Sequence, residues 1–126
     1  MSEEKFNLNV FDEEIESCCN ITKTGFFRNG KCESSKEDIG LHTVCAVVTN
    51  EFLNFSKEQG NDLITPAPQY NFPGLKDGDK WCLCSLRWLE AYHEGVAPSI
   101  LLKSTNKLVL NHIDIEILKK FAIDLS

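Results

Sequence analysis

Two stretches constrain this chain most, "TVCAVVTNEFLNFSKEQG" (43–60) and "KWCLCSLRWLEAYHEG" (80–95). Each begins with a short, apolar, strand-forming run and passes almost directly into a helical pattern that ends on glycine. In the first, Thr49 or Asn50 can cap a helix with Phe52, Leu53 and Phe55 on its apolar side. In the second, residues 80–85 predict a strand with Cys82 and Cys84 on one face and Trp81 and Leu83 on the other. Trp88, Leu89 and Tyr92 then give the following helix its buried side, and Pro98 prevents its continuation. The two units predict neighbouring strands in one sheet, since both runs are apolar enough to be buried on both faces.

The rest of the chain fills in around them. "SILLK" predicts a third strand and "KLVLNHI" (107–113) a fourth, antiparallel across the "STN" turn. Asp114 suits the cap of a last helix bearing Ile117, Leu118 and Phe121. Residues 18–43 are rich in turn formers, and 61–78 hold three prolines with no helical period. That second loop predicts an arm packing Tyr70, Phe72 and Leu75 over the core. The fold class is therefore α+β, a two-layer domain with a small mixed sheet, about three helices packed on it, and long irregular loops. A chain of 126 residues forms one domain, here 18–126, after an acidic lead-in at 1–17.

Charge and hydropathy narrow the partners. A formal net charge of −6 opposes a nucleic-acid backbone as ligand. No run approaches the length of a membrane-spanning helix, and "MSEEKFNLNV" does not resemble a secretory leader. These features predict a cytoplasmic protein, not bound to membranes, whose six cysteines stay reduced and mostly pack as small hydrophobes.

The segments "TGFFRNGKC", "EDIGLHTVCAVVTNEFLNFSK", "GNDL", "FPGLKDGDKWCLCSLRWLEA" and "GVAP" resemble, in order, the signature segments of the family catalogued as domain of unknown function 2237. The resemblance spans roughly Asn9 to Leu125. It implies a small, single-domain cytosolic protein found in bacteria and some eukaryotes, and implies no activity. Cys18, Cys32, Cys45, Cys82 and Cys84 fall on family cysteines, whereas Cys19 does not. This chain departs from the family pattern at Lys31, where relatives often carry a cysteine beside Cys32, and at Asn106, where many carry histidine. A mechanism requiring either group could not operate here.

Two functional readings arise from the residues. The first is a binding or interaction module for an unknown small anionic ligand or protein partner. Its pocket would lie where the 24–45 and 61–79 loops meet the strand–helix junction at 81–87, lined by Arg28, His42, Asp62, Tyr70 and Arg87. Arginine suits planar recognition of carboxylate or phosphate, although either arginine could equally tie loops through an acidic neighbour. The alternative is a thiol-dependent or metal-dependent enzyme centred on Cys82 and Cys84, with His42 as acid or base. Cys84 precedes a helix start with Arg87 close by, which favours thiolate. A disulfide between Cys82 and Cys84 is disfavoured by the reach between same-face strand neighbours. His42, Cys45, Cys82 and Cys84 could approach one another, but Cys-x-Cys within a strand lacks the spacing of a zinc knuckle, so no metal ligand is assigned and no cofactor is identified. No phosphate-binding glycine loop, HExxH or dinucleotide fingerprint is present.

Overall fold

The computed structural model describes residues 7–19, 24, 29–35, 38 and 41–124. Its frame is a three-stranded antiparallel sheet of β1 (His42–Val47), β2 (Lys80–Cys84) and β3 (Ser99–Ile100), ordered β2-β1-β3. Among the described residues three α-helices accompany it: α1 (Asn50–Glu58), α2 (Ser85–His93) and α3 (Ile115–Phe121). This is a small α+β domain, and among the described residues the one parallel pairing is the isolated bridge between Ile100 and Ala122. The two strand–helix units form as their patterns require. The Thr49 hydroxyl accepts from the Phe52 N–H to cap α1, and the Asp114 carboxylate accepts from the Glu116 N–H to cap α3.

Alternation divides the central strands between two cores. Val44, Ala46, Trp81 and Leu83 face the main core, with Phe52, Leu53, Trp88 and Leu118. Trp88 is fully buried, donates its indole N–H to the Pro98 carbonyl at 3.0 Å, and stacks on Tyr92 and edge-on to Phe121. Cys45 and Cys82 face the other way and form a smaller core with Ile15, Cys18 and Cys32.

Three expectations need correction. Residues 107–111 form a 3-10 helix, not a fourth strand. The Asn106 side chain accepts from the Leu108 N–H and caps that turn, a local bond that competes with sheet pairing. The proline-rich loop packs over the core, on the helix side, through Leu63, Phe72 and Leu75 but not Tyr70, while the cysteine face is covered by the leading segment around Ile15 and Cys18. Tyr70, on the 3-10 turn Pro68–Tyr70, stays 72% exposed. Finally, four cysteines are not lone thiols: Cys18 pairs with Cys45 and Cys32 with Cys82 as disulfides. Their burial matches the apolar reading, but loop cysteines far away in sequence meet the strand cysteines only once the chain has folded. Among the described residues no helix is long and apolar enough to cross a membrane.

Candidate functional site

Cys84 and Cys19 stand outside the disulfides, and both are partly exposed. Cys84 is the last residue of β2 and the N-cap of α2. Its cross-strand partner is His42, at the start of β1.

Strict alternation would separate these two. Counting back from Val44 puts His42 on the helix side, while Cys84 shares the face of Cys82. A β-bulge intervenes: Val44 pairs with Leu83 and His42 with Cys84, so Thr43 is one residue too many on β1. The extra residue reverses the phase and lets the imidazole reach the sulfur. Three contacts hold the distortion. Leu41 adopts a left-handed backbone at φ 51°, unfavourable for a bulky side chain. Its carbonyl accepts from the N–H groups of Thr43 at 2.8 Å and Ser85 at 3.0 Å. The Thr43 and Ser85 hydroxyls, both fully buried, meet at 2.5 Å. The start of α2 is thereby latched to the start of β1 on both sides of the His42–Cys84 pair. Strain held this firmly by surrounding bonds is characteristic of functional sites.

A third group completes the arrangement. The His42 Nδ1 lies 2.6 Å from Asp38 Oδ1. The Asp38 carboxylate is buried, and its other oxygen accepts from the Ser34 hydroxyl and the His42 backbone N–H, each at 2.9 Å. With Nδ1 committed to Asp38, Nε2 is left for Cys84. The hydrogen bond to the Cys84 sulfur is the main reason the His42 pKa is raised, from 6.5 to about 9; burial opposes the rise, and Asp38 adds to it. At neutral pH the ring is an imidazolium between a carboxylate and a sulfur.

The N–H groups of Leu86 and Arg87, in the first turn of α2, have no carbonyl one turn earlier in the helix to bond. They sit beside the Cys84 end of the helix, where its dipole favours negative charge.

The other residues singled out in the sequence lie as follows. Cys82 is 1% exposed and bonded to Cys32. Arg87 donates to the Gln59 carbonyl and to Glu90, both at 3.2 Å, tying α2 to the end of α1. Asp62 is exposed; the Thr65 hydroxyl, and then the Thr65 and Ile64 N–H groups of its own turn, bond its carboxylate and hold its pKa down to about 2. Arg28 lies outside the described residues. His42 and Cys84 are thus brought into contact. Asp38 did not stand out in the sequence as their partner: its signal, an acid four residues before a histidine in an irregular segment, is common, and only the bend at Leu41 gives it meaning.

A search of curated proteins finds no match. The family model for uncharacterised proteins conserved in bacteria (DUF2237) matches residues 8–122, and the chain belongs to that family.

Proposed function

We propose that the protein is a thiol-dependent enzyme of the acyl-transfer class, with Cys84 as nucleophile, His42 as its acid and base, and Asp38 orienting His42. The observation that carries the reading is the imidazole of His42, held at Nδ1 by the buried Asp38 carboxylate and set directly across the β1–β2 ladder from Cys84, whose sulfur is the main cause of its raised pKa. Such a relay is what activates a cysteine. It favours this reading over the binding module, because Arg87 and Asp62 are engaged in local structural bonds.

The chemistry follows from the geometry. The Cys84 sulfur adds to a carbonyl carbon, and the carbonyl oxygen takes up the negative charge near the first-turn N–H groups of α2. The intermediate collapses and expels the leaving group, which takes the proton from the His42 imidazolium. Neutral His42 then removes a proton from water, whose oxygen displaces the thioester sulfur. The acid departs, and Cys84 and His42 return to their starting states.

The test is a panel of activated esters and thioesters, with adducts located by peptide mass and product release followed in time. An acyl adduct on Cys84 that turns over, is absent in Cys84→Ala and slows at least tenfold in His42→Ala is expected, in line with the usual share of general acid–base catalysis. Acylation spread over lysines, unchanged in Cys84→Ala, would refute the assignment.

A further inference from the structure

The two disulfides lie in one place. The sulfurs of Cys18, Cys32 and Cys82 are all within 4.8 Å of one another, and Cys45 is bonded to the first of these. All four cysteines are buried, between 0 and 3% exposed. Two separate staples have no need to converge. Three sulfurs gathered at one point, with a fourth bonded to one of them, approach the donor set of a tetrahedral thiolate metal site, in which Zn–S bonds of about 2.3 Å put the sulfurs about 3.8 Å apart. We propose that Cys18, Cys32, Cys45 and Cys82 form a redox-gated zinc site: reduced, the four thiolates hold one zinc ion; oxidised, they pair as the two disulfides.

The cage does not depend on the sulfur–sulfur bonds. Cys45 and Cys82 are direct cross-strand partners in the β1–β2 ladder. The Cys45 N–H donates to the Thr105 hydroxyl at 3.2 Å and the Cys82 N–H to the Thr24 hydroxyl at 2.7 Å. The Cys18 N–H donates to the Gly30 carbonyl at 2.7 Å, and the Cys32 carbonyl accepts from the Asn106 amide at 3.0 Å. Each cysteine backbone is therefore tethered whichever bond its sulfur makes. Thiolate-only ligation suits zinc, which has no redox chemistry of its own, so the electrons come from the sulfurs. Oxidation by a peroxide balances: two hydrogen peroxide molecules take four electrons from four thiolates and four protons from solvent. Two disulfides, four waters and a released zinc ion result. A dithiol or phosphine reductant reverses the sulfur change.

This site shares no residue with the Cys84–His42–Asp38 relay, and its test is independent of activity. The full chain is reduced with a phosphine, loaded with zinc or cobalt(II), and freed of excess metal. The expected result is one metal per chain, a cobalt spectrum of tetrahedral thiolate type, and zinc release on peroxide treatment with loss of four hydrogens in mass. Cys84→Ser should keep the full metal content and Cys32→Ser should lose the tetrathiolate spectrum. A reduced wild-type chain that retains no metal, or a site lost in Cys84→Ser and kept in Cys32→Ser, overturns the proposal.

Discussion

At the scale of single residues, the chemistry of the site turns on where the His42 proton resides. A histidine raised from 6.5 to about 9 by its sulfur and carboxylate neighbours has a sharp signature. A proton titration followed by NMR should give a His42 midpoint near 9, moving toward 6.5 in Cys84→Ala and, to a smaller extent, in Asp38→Asn. A wild-type midpoint near 6.5 would contradict the site geometry. The same shift enters stability. A base whose pKa is higher folded than unfolded binds protons preferentially in the native state, so its contribution is complete below pH 6.5 and fades as pH rises through about 9. Unfolding free energy should therefore decline between these pH values in the wild type, and decline less in His42→Ala; parallel curves would remove His42 from the balance.

At the scale of elements, the cores make separate demands. Trp88 joins α2 to the sheet and to α3 through full burial, an indole hydrogen bond and two ring contacts. Trp88→Ala should lower stability by about 3 to 5 kcal/mol in denaturant unfolding; a loss under about 1 kcal/mol would contradict its burial. The proline-rich loop is fixed at Gly74, where φ is +83° and an added Cβ would lie 2.3 Å from the Ile64 carbonyl oxygen. Gly74→Ala should thus destabilise by more than the roughly 1 kcal/mol typical of a strained backbone position, because the clash is with main chain. An unchanged melting transition would show that the loop yields freely.

These elements were the legible part of the sequence. The Thr49 and Asp114 caps and the apolar period of the helices follow from local chemistry that survives without tertiary context, and the pairing of the 43–49 and 80–85 runs from two doubly buried strands that succeed one another in the chain. Residues 107–111 did not, because an apolar run suits a strand or a turn equally until a cap such as Asn106 decides.

At the scale of the whole molecule, the sheet separates the disulfide-bonded cysteines from Cys84. One face carries the aromatic core, the other the two disulfides, and the edge of that second face carries Cys84. The sequence could mark Cys84 and His42 individually, since a thiol before a helix and a histidine before a strand are local features. It could not show their contact, because the bulge at Thr43 has no residue-type signal and strict alternation sends His42 to the wrong side. Nor could it join Cys18 and Cys32 to the strands, a pairing set by how the leading segment crosses the sheet. The claim on which the account rests is that the fold makes Cys84 unlike the other thiol outside the disulfides. Competitive alkylation of the native chain at pH 7, read by peptide mass, measures this directly. Cys84 should react faster than Cys19, and His42→Ala should slow Cys84 about tenfold or more while leaving Cys19 unchanged. Cys19 reacting first in the wild type, or Cys84 reacting at the same rate in His42→Ala, would contradict it.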